Sequence, residues 1–392
     1  MKKIYMDHNA TTPLHPEALD AMLPFLKDNF GNPSSIHWAG RGVKKYIEEA
    51  REKVANLLNA DPSEIVFTCG GSEGDNLAIK GVVNVLKKKS NHIITTQVEH
   101  PAVLTTCQYM EKRGCKVTYL PVDHDGMIDL DDLRDSITKK TVLISIMYAN
   151  NETGTLFPIK EVGEIAADNG IVSHTDAVQA VGKIPIDAKD LKVDLLSLSG
   201  HKLYGPKGIG CLYVKKGTPL VPLIHGGHQE GGRRAGTENI PGIVGLGKAC
   251  EIVNRDMESQ LKHITKLRDR LYKGIIDKLD HVKLNGHPVN RIPNTLNLSF
   301  EFIEGESLLL NLDLEGIAVS SGSACTSGSL KPSHVLTAMD ITPEIAQGSL
   351  RFSLGLGNTE EDVEYALGVL PEIVNRLRSM SPLYSSRKSE SG

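Results

Sequence analysis

The chain has no apolar run of the roughly 18 residues that a membrane-spanning helix needs, so no membrane span is expected. Lys2 and Lys3 stand near the start, but no apolar core follows them, and no signal peptide is expected. Neither sign of charge dominates. A formal net charge of −4 leaves no broad surface for nucleic acid. The six cysteines form no C-x-x-C pair and no zinc-like spacing with histidine, which fits a cytoplasmic chain with reduced thiols. There is no internal repeat and no low-complexity tract. Both G-x-G-x-x-G and G-x-x-x-x-G-K-[ST] are missing, so nucleotide binding has little support.

What the 392 residues do contain is alternation. Short β-rich runs at 65–68, 92–98, 116–120, 142–148, 171–175, 194–199 and 209–214 are separated by helical patterns such as 75–88 and 159–169. Several of the runs are continuously apolar, as strands covered on both faces are. The pattern predicts an α/β fold with a mostly parallel sheet of seven strands, whose ligands gather at the carboxyl ends. After a Gly-rich stretch, Val253, Met257, Leu261, Ile264, Leu267, Leu271 and Ile275 recur every three or four residues and predict a long amphipathic helix. A smaller α+β part follows, with strands at 294–302, 317–320 and 350–354 and helices at 307–314 and 360–377. The expected division is a large domain over 15–255 and a small one over 1–14 plus 256–392. The Ser- and charge-rich tail at 381–392 is expected to fray.

Several residues carry chemistry in this frame. Lys202 closes the strand that ends in Ser199-Gly200-His201. A lysine there is either a surface residue or, if its pKa is lowered, a good imine former. Asp176 ends the run Val172-Ser173-His174-Thr175. It is either a helix N-cap or the carboxylate that a pyridine nitrogen needs. Thr68-Cys69-Gly70-Gly71-Ser72-Glu73 is an ordinary strand-to-helix turn or a cradle for an anion at a helix N-terminus. His100 is structural, or stacks on a ring and shuttles protons. Arg351, in Ser349-Leu350-Arg351-Phe352-Ser353, either bridges two domains or grips a substrate carboxylate. Cys325 lies in Ser320 to Ser329, a segment with almost nothing to bury. It is an incidental thiol, or a nucleophile on an arm of six residues that reaches roughly 20 Å.

Together these stretches resemble the cysteine desulfurases, fold-type I pyridoxal-phosphate enzymes of the class-V aminotransferase family. The resemblance runs from Tyr5-Met6-Asp7-His8-Asn9-Ala10-Thr11-Thr12 to about Leu383. It is carried by Gly31-Asn32-Pro33-Ser34-Ser35, Val98-Glu99-His100-Pro101, Asn150-Asn151-Glu152-Thr153-Gly154, His174 to Gln179, Ser199 to Lys202 and Ser321 to Ser327. The wording around Asn151 and at Gly227-His228-Gln229-Glu230 is similar to the NifS-like branch, with the IscS-like branch second. The loop resembles the long-loop group.

The resemblance implies that Lys202 binds pyridoxal 5'-phosphate covalently. Asp176 would pair the ring nitrogen, Gln179 the ring hydroxyl, and His100 would stack and move protons. Gly71, Ser72, Ser199 and His201 would hold the phosphate, and Thr237 would reach that of a neighbouring subunit. Asn151 and Arg351 would hold the substrate, L-cysteine, and Cys325 would take its sulfur. The partners implied are a second copy of the chain and an iron–sulfur scaffold protein (NifU- or IscU-like). No intrinsic metal is implied, Cys325 serving at most as a transient iron–sulfur ligand with that scaffold. One departure is Ser72-Glu73-Gly74 where the family has Thr-Glu-Ser. The rival readings are a selenocysteine lyase, another aminotransferase-like enzyme of this fold, and a non-catalytic platform for sulfur assembly.

Overall fold

The computed structural model describes residues 2–86, 90–321, 332–382 and 384. Cys325 and most of the expected frayed tail lie outside the described residues.

A short strand β1 (Ile4–Tyr5) leads into helices α1 (Pro16–Lys27) and α2 (Trp38–Leu58). The alternation then runs β2 (Ile65–Thr68), α3 (Gly71–Leu86), β3 (His92–Thr96), α4 (Pro101–Glu111), β4 (Lys116–Leu120) and α5 (Leu130–Ser136). It continues through β5 (Thr141–Ser145), α6 (Ile159–Asp168), β6 (Val172–Asp176), β7 (Leu195–Ser199) and β8 (Gly210–Val214). These seven strands form one sheet in the order β2-β8-β7-β6-β5-β3-β4. Only β8 runs antiparallel to its neighbours. The α/β architecture and mostly parallel sheet are those predicted. Apolar clusters cover both faces. Val54, Leu58, Ile146 and Leu196 pack on one side, and Val66, Ile79, Val103 and Leu143 on the other. Burial on both sides is why the strands read as apolar runs rather than alternating ones.

The chain goes on through α7 (Ile240–Lys278), β9 (Val282–Asn285), β10 (Thr295–Phe300), α8 (Gly305–Leu314) and β11 (Ile317–Ala318). It ends with α9 (His334–Ala338), α10 (Pro343–Gln347), β12 (Ser349–Ser353) and α11 (Glu360–Ser379). Here β12, β10 and β9 form an antiparallel sheet, and β1 pairs in parallel with β11. A separate core gathers Ile4, Met6, Leu267, Leu271, Leu298, Phe352 and Leu370. Val335, Leu336 and Met339 pack into the core of the large sheet instead.

The long helix starts well before its apolar stripe. Asn239 caps it by accepting from the Gly242 amide at 3.1 Å. Its first turns hold Gly242, Gly245 and Gly247, which are poor helix formers and lie ahead of the apolar stripe. Their lack of a side chain has a packing reason. A Cβ on Gly247 would sit 2.7 Å from Ala50, and one on Gly245 would sit 2.6 Å from the Met22 sulfur. The helix thus lies close against both α1 and α2.

Candidate active site

The sheet topology collects polar residues at its carboxyl edge, as parallel sheets do. Asp176 ends β6, Ser199 ends β7 with Lys202 one short turn further, and His100 stands between β3 and α4. Ligand atoms of Asp176, His100 and Asp75 all lie within 4.8 Å of one another. Lys202 is half-buried. Its Nζ donates to the Asn9 and Ala10 carbonyls at 2.5 and 2.7 Å. Its charge acts on both Asp176 and His100. Lysine, aspartate and histidine therefore converge on one place.

The electrostatics follow from burial. Asp176 is 5% exposed, and burial pushes its carboxyl up, while His100, the Val178 amide and Lys202 pull it back. Both readings of Asp176 meet here, because its Oδ1 also accepts from the Val178 amide at 2.9 Å. Beside it, Asp75 is buried, its Oδ1 without a hydrogen bond and 3.6 Å from His174 Nε2, and burial raises it well above the usual carboxylate range. Burial lowers His100. Its Nδ1 accepts from the Ala102 amide at 3.1 Å and so caps α4. In the neutral ring the proton then sits on Nε2.

The turn between β2 and α3 forms a cradle beside β7. Gly70 has φ of +153°, and Ser199 Oγ lies 3.6 Å from where its Cβ would be. A Cβ on Gly71 would press on Val178 at 2.6 Å. Gly71 and Ser72 open α3, whose N-terminal amides favour an anion. At Gly74, the departure from the family wording, a Cβ would come 2.9 Å from Ser197 Oγ. The helix nevertheless forms through this position. His201 is bound at Nδ1 to Thr11 Oγ1 at 3.0 Å. Thr237 lines a small cavity of about 120 Å³ with Thr68 and Cys69.

Arg351 reaches across from β12. Nη1 donates to the Asn151 carbonyl at 2.8 Å and Nη2 to Asp7 Oδ1 at 2.7 Å. Gln179 donates to the Asn9 carbonyl at 2.9 Å. Asn9, Asp7, Asp75 and Lys183 escaped the sequence reading of roles. They show no periodicity, and only the stretch Asp7 to Thr12, quoted without a role, pointed to two of them.

Cys69, Cys107, Cys211 and Cys250 are poor nucleophiles. Burial pushes the thiols of Cys107, Cys211 and Cys250 up, Cys250 to about 12. Burial and the Glu73 carboxylate push Cys69 up to about 11.

The donor set fits pyridoxal phosphate. It offers an amine, a buried carboxylate, a histidine, a hydroxyl-bearing helix N-terminus, and an arginine whose Nε has no partner. Residues 4–366 match the aminotransferase class-V family. The chain is 54% identical to the cysteine desulfurase IscS of Dictyoglomus turgidum over 97% of each chain. It is 57% identical to that of Methanosarcina thermophila, over 97% of this chain and 94% of the other. A solved NifS-like protein superposes with a TM-score of 0.91 at 42% identity, over 96% of this chain and all of the other. A structure of SspA in complex with cysteine follows with 0.81 at 40%, over 90% and 99%. The chain belongs to the class-V aminotransferases, a family of enzymes dependent on pyridoxal phosphate. Within that class it belongs to the cysteine desulfurases.

Proposed function

We propose that this protein converts L-cysteine to L-alanine and carries the sulfur on Cys325 as a persulfide. The convergence of Lys202, Asp176 and His100 at one sheet edge carries the reading. Pyridoxal phosphate, when bound, supplies a ring that withdraws electrons from the bonds around the substrate's α-carbon.

The chain's own residues do the rest. Lys202 holds the cofactor covalently and accepts the α-proton. Asp176, kept from water, would pair the ring nitrogen, and Gln179 the ring hydroxyl. Gly71, Ser72, Ser199 and His201 bind the phosphate, and Thr237 reaches that of the neighbouring subunit. His100 moves its Nε2 proton. Arg351 and Asn151 hold the substrate, Arg351 by its carboxylate. The Cys325 thiolate then bonds to the substrate sulfur as the carbon–sulfur bond breaks. The electron pair stays on carbon, which takes up protons and leaves as alanine. Two chemical stages with a covalent carrier between them predict ping-pong kinetics.

The active unit is a homodimer. Phe30, Ile36 and Trp38 support this: all three are exposed large apolar side chains beside the Gly31 to Ser35 stretch. The acceptor is an iron–sulfur scaffold protein in the cytoplasm. The sulfur serves iron–sulfur cluster assembly, and the wording at Gly227 to Glu230 supports nitrogenase maturation as one destination. The chain divides into a large unit, 15–255, and a small one, 1–14 plus 256–392, which carries the Cys325 loop.

The test is to give cysteine to the purified yellow protein and measure alanine, with borohydride bleaching the colour as it reduces the imine and leaves the cofactor bonded to Lys202. Lys202→Ala abolishes both. Consumption of a 2-oxo acid without sulfur release would favour an aminotransferase instead.

A further inference from the structure

Lys183 is a buried lysine, 7% exposed, to which the reaction gives no part. Its Nζ donates to Asn9 Oδ1 at 3.0 Å and to Gln179 Oε1 at 2.5 Å. Among the described residues it has no carboxylate partner. Burial and the charges of Lys202 and Arg351 push it well below the ordinary lysine range. A group so costly to bury calls for a use.

The contacts of Gln179 supply one. An amide has two ends of similar size, an oxygen that accepts and an NH2 that donates. The Gln179 Nε2 end faces the Asn9 carbonyl, which can only accept. The Oε1 end faces the Lys183 amine, which donates. These two partners fix which way the amide points, and leave its second N–H for a ligand. Asn9 is held in turn by Asn294, which donates to its Oδ1 at 3.0 Å, so the frame is rigid.

We propose that Lys183 is a positioning residue that holds the Gln179 amide with N–H, rather than C=O, toward the ring hydroxyl of the cofactor. The inference rests on the reading of Gln179 as the partner of that hydroxyl. Without the amine, the carbonyl loses its donor and the amide can turn, bringing oxygen against oxygen.

The test is a spectral titration of the cofactor-free protein with pyridoxal phosphate, using Lys183→Met, Gln179→Leu and the double variant. Each single change is expected to weaken binding about tenfold, the worth of one hydrogen bond to a charged group. All three variants share one shifted absorbance maximum, and the double loses no more than either single. Parent-like affinity and spectrum in Lys183→Met, or additive losses, would overturn the inference. A parent protein that takes up no colour would overturn the cofactor reading and this inference with it. If Lys183→Met does not fold, Lys183→Gln decides. It keeps a donor and is expected within about threefold of the parent, with the parent's absorbance maximum. A folded Lys183→Gln with the Gln179→Leu spectrum counts against the proposal.

Discussion

Arg351 and Asp7 form an ion pair of 2.7 Å, with the two side chains only 7% and 17% exposed. The guanidinium that should receive the substrate thus already has a counter-charge, from the segment after β1. Its Nη1 is committed to Asn151, while Nε is buried without a partner. A carboxylate arriving at Nε would share Nη2 with Asp7. Arg351→Gln should raise KM for cysteine by about 10- to 100-fold and change kcat less, since a charged hydrogen-bonded contact is worth about 1.5–3 kcal/mol. Steady-state kinetics on cysteine check this, and an unchanged KM would leave the arginine a structural bridge.

His100 does two jobs that one substitution separates. Its Nδ1 caps α4, and the ring lies beside Asp176 and Asp75. Asparagine is also a good N-cap, so His100→Asn should keep stability within about 1 kcal/mol. It has no titrating nitrogen, so kcat should fall by about 100-fold or more. Loss of stability with activity intact would assign His100 to the helix alone.

Glu99 gives the fold a pH dependence of definite sign. It is buried and accepts from Thr96 Oγ1 and the Met147 amide, each at 2.9 Å. Burial pushes its pKa from 4.5 up to about 8. The folded state therefore keeps a proton that the unfolded state releases between these values. That stability is complete below the unfolded pKa and is lost as pH rises through the folded one, with a slope of at most ~1.4 kcal/mol per pH unit. Glu99→Gln removes the titrating group, so its unfolding midpoint should fall less between pH 5 and pH 8 (roughly the span of the shift) than the parent's. Parallel curves for the two proteins would contradict this.

Glu230 clamps the edge of the large sheet. It takes both arms of Arg51 at 2.8 and 2.9 Å and the Phe67 amide at 2.8 Å. Glu230→Ala leaves Arg51 buried beside the Phe67 ring, and should cost about 3–5 kcal/mol in urea unfolding. A loss under about 1 kcal/mol would mean that water replaces the carboxylate.

The large sheet was legible because both of its faces are covered, which wrote several of its strands as apolar runs. Asp176 and Lys202 could be read because each stands at the end of a strand, where a parallel sheet holds its ligands. Strand β9 was not legible, since Val282 and Leu284 are only half-buried beside exposed Lys283. The start of α7 was hidden by glycines whose reason is the contact with Ala50 and Met22, and no local pattern shows that. Lys183 and Asp75 stayed out of sight for the same cause. A buried charge looks like a surface one until its neighbours are known.

The most direct measurement of the central claim is the mass of the peptide bearing Cys325 after the holoenzyme meets L-cysteine without reductant. A gain of one sulfur atom on that peptide is predicted, with an equal amount of alanine and neither product in Cys325→Ala. Sulfur carried instead on Cys69 or Cys115, or alanine released at the parent rate by Cys325→Ala, would contradict the account.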